Sequence, residues 1–165
     1  MYQRFFGRFR LFMMIGICQA LLVTVGELLY VGIDCVHPWL YVLAAAVISV
    51  VFCAIIYSIH YVLGKMGLAL CVVILVVQVA GGGGSFPVEV VPRPFQILSP
   101  FMPFHYAMDA MRECIAGMYG TYYIRCLGTL LLFAAGCFGM AFLLYRPLHK
   151  LMEKMESSME ESGIM

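Results

Sequence analysis

From Met66 to Ala80 the chain carries one strongly polar side chain, Gln78, and then meets four consecutive glycines, Gly81 to Gly84. Each glycine costs a helix about 1 kcal/mol relative to alanine. Prolines follow at 87, 92, 94, 100 and 103. Each lacks an N–H donor and biases the residue before it away from the helical region. An apolar helix therefore stops near Gly82, and a short ordered segment returns the chain before the next apolar run. With no lysine after them, the glycines do not make a phosphate-binding loop. They read as a helix stop with a flexible hinge.

The returning segment has a legible pattern. Ser99 followed by Pro100 reads as an N-cap with proline at the first helical position. Phe104, Met108, Met111, Ile115 and Met118 then recur at spacings of 4, 3, 4 and 3, while His105, Asp109, Arg112 and Glu113 fall mostly on the other side. This predicts a one-sided helix of about four turns that lies in a membrane interface, packs on the tops of the spans, or does both. Asp109 and Glu113 are one turn apart, but with Arg112 beside them they read as charges on a wet helix face rather than as a catalytic carboxylate pair.

Hydrophobic residues make up 64% of the 165, and charged residues only 12%, about half the charge of a soluble domain. The fold class that follows is an all-α integral membrane protein with four transmembrane helices and a short extracellular interfacial helix segment between the last two. The spans are expected at about 11–33, 39–63, 66–82 and 122–145, the first long enough to cross about 30 Å of hydrocarbon. Residues 83–121 form the outer segment, residues 1–145 one polytopic membrane domain, and residues 146–165 a cytoplasmic amphipathic tail. Residues 1–10, with Arg4, Arg8 and Arg10 among aromatics, read as an interfacial anchor.

Polar residues inside spans are the natural site candidates. Gln19, Gly26, Glu27, Tyr30 and Asp34 share a stripe at helical spacing. Glu27 either lines a substrate or ion path, or is hydrogen-bonded between helices near the headgroups. Ala45, Ser49 and Cys53 form a small-residue seam that admits a close helix neighbour, as do Ala135 and Gly139. His60 has no second histidine at metal spacing. The seven cysteines form no CxxC pair and read mainly as small hydrophobes. Cys35, Cys114 and Cys126 fall near one membrane face, where pairing stays open. The apolar run after residue 10 is too long for a signal-peptide core and reads as a span.

Lys and Arg counts set the orientation. Arg4, Arg8, Arg10, Lys65, Arg146, Lys150 and Lys154 fall on one side, and Arg93, Arg112 and Arg125 on the other. Both termini are expected in the cytoplasm of a multi-pass cell-membrane protein. A formal charge of +1 gives no field for nucleic acid. The chain has no P-loop, HExxH, GxSxG or Cys/His cluster, so no enzyme activity, cofactor or metal is expected.

The order of an apolar span, Gly83-Gly84-Ser85-Phe86-Pro87-Val88-Glu89, two prolines, Phe95-Gln96, Ser99-Pro100-Phe101-Met102-Pro103 and Tyr106 to Glu113 resembles the C-terminal membrane module of the YhgE/Pip (phage infection protein) family. That module is similar to the permease half of second-type ABC exporters. The resemblance implies part of a six-helix permease fold, with the outer segment as paired extracellular helices. It implies motif or gating roles for Gly83, Phe86, Pro87, Glu89, Pro100, Pro103, Tyr106, Asp109 and Arg112, beside the intramembrane polar residues Gln19 and Glu27. Full-length members carry an extra first span and a large extracellular region used by some phages as a receptor, and relatives act in type VII secretion in Gram-positive bacteria. Measured against them, the chain begins where the third membrane helix would. That implies either a piece of a longer protein or a short relative that completes its fold with a partner. Two functions are expected from this. One is a permease-like subunit of a homo- or hetero-oligomer in the bilayer, driven by a separate ATPase with residues 1–10 as the docking segment. The other is a non-transporting scaffold of a secretion or envelope complex.

Overall fold

The computed structural model describes the backbone of residues 2–84 and 90–161, and the side chains of 7–64, 66–84 and 90–144. Helix α1, Tyr2–Gly26, runs into a π-helical turn, Glu27–Val31, and ends at Gly32. Helix α2 covers Pro38–Gly81, α3 Arg93–Leu98, and a 3-10 turn Ser99–Phe101. Helix α4 is Pro103–Ala116 and α5 is Tyr122–Glu161. No strand occurs among the described residues.

Helix α2 is two arms joined at Gly64, whose φ of 57° and ψ of −135° lie outside the helical region. A side chain there would be strained, so glycine suits the break. The chain then doubles back sharply. A Cβ on Gly67 would lie 2.8 Å from the carbonyl oxygen of Ile59, eight residues earlier, where a straight helix would separate the two by about 12 Å. The first arm packs against α1 and α5. Gly16 of α1 meets it at close range: a Cβ there would come within 2.7 Å of Cys53 Sγ and 2.9 Å of Ser49 Oγ. The seam read from Ala45, Ser49 and Cys53 is thus where α1 approaches.

Three helices are long and apolar enough to cross a membrane: Gly7–Val31, Pro38–Gly64 and Tyr122–Leu144. The expected third span, 66–82, is a shorter apolar helix, Met66–Gly81. We call the end carrying the 32–37 and 117–121 turns the upper end. At the lower end Phe9 packs on Tyr57 and Phe138, with ring centroids 5.5 and 5.2 Å apart. The segment expected as an anchor is therefore continuous with α1 and partly in the core. The tail is continuous too: the backbone of α5 stays helical to Glu161 with no break at Pro147.

Helix α4 departs from expectation. It neither lies flat nor caps the spans, but descends between α2 and α5. The Phe104 ring sits 6.4 Å from that of Phe52, and the Tyr106 ring 6.1 Å from that of Phe133. Phe52 and Phe133 are at the middles of their spans. From that depth α4 climbs to Cys114, in a cluster with Tyr41, Ala44, Tyr123 and Cys126 at the upper end. The buried face is Pro103, Ala107, Ala110 and Cys114. It has the same helical period as the stripe of large apolar residues, displaced by one position. Small side chains let the backbone come close to two neighbours at once, which bulky ones would prevent.

The start of α4 also differs. Ser99 does not cap it; its hydroxyl is buried without a hydrogen-bond partner among the described residues. Met102 is extended, at φ −98° and ψ 117°, as the residue before a proline prefers. That separates the 3-10 turn from α4, which then begins at Pro103.

Candidate functional site

The glycine run is built for contact as well as for termination. Gly82 N–H donates to Gln78 O at 2.7 Å, closing α2. Gly83 takes a φ of 77°, a value suited to glycine. A Cβ on Gly81 would fall 2.6 Å from the Phe95 ring, and one on Gly82 2.5 Å from the Phe104 ring. The run therefore seats both aromatics, which the reading as a flexible hinge did not foresee.

On the opposite wall α4 presents His105, Asp109 and Arg112 at helical spacing. Arg112 Nη2 donates to the carbonyl oxygen of Gly83, so the end of α2 is tied to the middle of α4. Arg112 Nη1 also lies 3.7 Å from Asp109 Oδ1. Asp109 Oδ2 accepts from the Tyr122 hydroxyl at 2.8 Å and has His105 Nε2 at 3.6 Å. His105 Nδ1 is buried with no hydrogen-bond partner among the described residues. Asp109 is thus the centre of a polar cluster joining α2, α4 and α5. It is not the solvated charge that its spacing suggested.

The remaining expected residues are placed less tightly. The Tyr106 hydroxyl donates to the carbonyl oxygen of Pro100 at 3.0 Å, closing the loop ahead of α4. Pro103 opens α4 and is buried. Phe86, Pro87 and Glu89 lie outside the described residues. Glu27 is apart from the cluster: its Oε2 accepts from the Tyr41 hydroxyl at 2.6 Å, linking the end of α1 to α2. The π-helical turn opens at Glu27 and re-aims the residues after it. Gln19 and Tyr30, expected on the same stripe, are exposed. The stripe is therefore not one site.

The upper end is held by further bonds that the sequence did not single out. The carbonyl oxygen of Cys114 accepts from His37 N–H at 3.2 Å and from the Cys35 thiol at 3.1 Å. It is one of the last carbonyls of α4, which lack helical donors. The Tyr123 hydroxyl donates to Leu40 O at 2.9 Å, and Glu113 Oε2 accepts from Tyr119 N–H at 2.7 Å. All seven cysteines are free thiols. Burial, with Cys35 and Glu113 nearby, pushes the Cys114 thiol up to about 11, so at neutral pH it is protonated and a poor partner for disulfide exchange. His105 and Tyr122 are the functional candidates that motif reading missed. His105 was assigned to a wet face. Tyr122 sits at the start of α5, thirteen residues from Asp109, beyond any local spacing rule. Among the described residues no group of three or more His, Cys, Asp or Glu side chains is placed to hold a metal.

Three long apolar helices around a descending polar helix define a multi-pass helical membrane protein. Over 115 residues the chain is 31% identical to the protein named "Uncharacterized protein YhgE" of Bacillus subtilis (strain 168), a match covering 70% of this chain and 15% of that protein. The chain belongs to the YhgE/Pip family. No family model matches it, and no solved structure matches it. The chain thus aligns with a small part of its relative's length.

Proposed function

We propose that the chain is a permease-like membrane subunit of a YhgE/Pip-type exporter or secretion-associated complex. It passes substrate across the cell membrane on energy from a separate ATPase, and itself catalyses nothing. Both termini face the cytoplasm, and the upper end faces outward. The observation that supports this is the Asp109 cluster on a helix that reaches the level of Phe52 and Phe133. Asp109 itself stands higher, bonded to Tyr122 at the top of α5, so the cluster lies at the outer mouth of such a path, where an ionisable group facing protein rather than lipid marks a substrate or ion route. Moving α4 outward would break the Asp109–Tyr122 and Arg112–Gly83 bonds together, as a gate requires.

A scaffold reading has one observation in its favour. The Met66–Gly81 arm exposes Leu68, Leu70, Val72, Val73 and Val76, with Gln78 its only strongly polar side chain, so it offers no polar lining for a path.

Gentle detergent extraction of the tagged chain, followed by mass spectrometry of what accompanies it, separates the two. The permease reading expects a nucleotide-binding subunit whose ATPase activity in the complex changes at least several-fold with Asp109→Asn. Recovery with secretion or envelope proteins and no ATPase would overturn it in favour of the scaffold.

A further inference from the structure

Between α4 and α5 a groove of about 490 Å³ opens on the outside of the bundle, lined by Tyr106, Tyr122, Arg125, Gly128, Thr129 and Leu132 among others. It runs from the first turn of α5 at the upper end to Leu132 at mid-span, about 15 Å along the helix. Its two ends differ in chemistry. At the upper end Arg125 is exposed and makes no ion pair among the described residues. The nearby acids are already engaged: Asp109 by Tyr122, His105 and Arg112, and Glu113 by the Tyr119 N–H. At the lower end the wall is apolar, with Leu132 74% exposed and Gly128 leaving the middle of the groove open. The Thr129 hydroxyl is turned inward on its own helix, donating to Arg125 O at 2.9 Å. It therefore presents no polar demand to an apolar occupant.

We propose that this groove binds one phospholipid with an anionic head, its phosphate at Arg125 and an acyl chain lying over Gly128 against Leu132. A neutral helix of another subunit would leave the guanidinium uncompensated, whereas an anionic headgroup satisfies it at the level where headgroups lie. The site is independent of whether the chain transports anything.

The test uses the full chain in nanodiscs of equal phosphatidylglycerol and phosphatidylcholine, released into a native mass spectrometer. Both lipids carry the phosphate, but choline's ammonium cancels its charge beside Arg125, so retention of phosphatidylglycerol is expected to exceed that of phosphatidylcholine about fivefold, the worth of one arginine facing a net anionic headgroup. Arg125→Gln should abolish the preference. Gly128→Leu should remove the retained lipid; a Cβ at Gly128 meets nothing within 4 Å, so the larger side chain fills the groove without forcing the fold. Arg93→Gln, at an exposed cation elsewhere, should change neither. An undiminished preference in Arg125→Gln, or undiminished retention in Gly128→Leu, overturns the proposal. So does efficient dimer crosslinking through Leu132→Cys with no lipid retained, which would give the groove to a second copy.

Discussion

Glu27 shows what one acidic side chain does when a neighbour is placed for it. Its carboxylate accepts a hydrogen bond from the Tyr41 hydroxyl at 2.6 Å, and Tyr41 is buried. An amide keeps an acceptor in the same place, whereas leucine leaves a buried hydroxyl with nothing to donate to. An orphaned buried donor costs about 1–3 kcal/mol. Glu27→Leu is therefore expected to lower the unfolding midpoint in detergent by that equivalent, and Glu27→Gln by clearly less. Equal losses in the two variants would show that the contact carries no stability. The same logic separates Glu27 from Asp109. Among the described residues the Glu27 side chain has a single partner, and that of Asp109 has three, drawn from its own helix and from α5.

At the scale of elements, α4 and the glycine run are one device. The rings of Phe95 and Phe104 occupy the space that side chains at 81 and 82 would need, and Arg112 ties Gly83 to the helix so seated. Gly82→Ala should loosen α4, read as faster amide exchange across Pro103–Ala116 with α1 unaffected. Phe52→Cys combined with Phe104→Cys should crosslink under mild oxidation in a background lacking the native thiols. Failure of both would return α4 to the membrane surface. Much of this element was legible in advance. The period from Phe104 to Met118 gave a helix of nearly the right length, but the reading of Ser99 and Pro100 as its start placed the beginning at the wrong proline, since α4 opens at Pro103. Its depth was not legible. Periodicity reports which residues share a face, not which face meets protein, and here the small residues Ala107, Ala110 and Cys114 won over the large ones. The Asp109–Tyr122 bond was hidden for a related reason, since it depends on how α4 docks against α5. Glu27 was legible as far as the choice between a path and a helix contact, and Tyr41 supplies the contact.

For the whole molecule, the charge asymmetry predicts one orientation. A single engineered cysteine near Arg93 should be labelled by a membrane-impermeant reagent from outside intact cells, and one at the 64–67 turn should not. The opposite labelling pattern would invert the topology. The multi-pass helical class was readable from apolar run lengths alone, because about twenty apolar residues have few other fates in water. The number of full crossings was not, because Met66–Gly81 sits just below that length. Its shortness has a consequence for the surroundings. The arm's sixteen residues rise about 24 Å, against a hydrocarbon layer of about 30 Å. The arm alone falls about 6 Å short of that thickness, and above its end the wall is completed only by α3 and α4 seated on the glycine run, whereas α1 is of full height. The bilayer answers such a mismatch by thinning locally, at a modest elastic cost for each ångström. Thinning is therefore expected on the arm's own flank and not on the side that α1 covers.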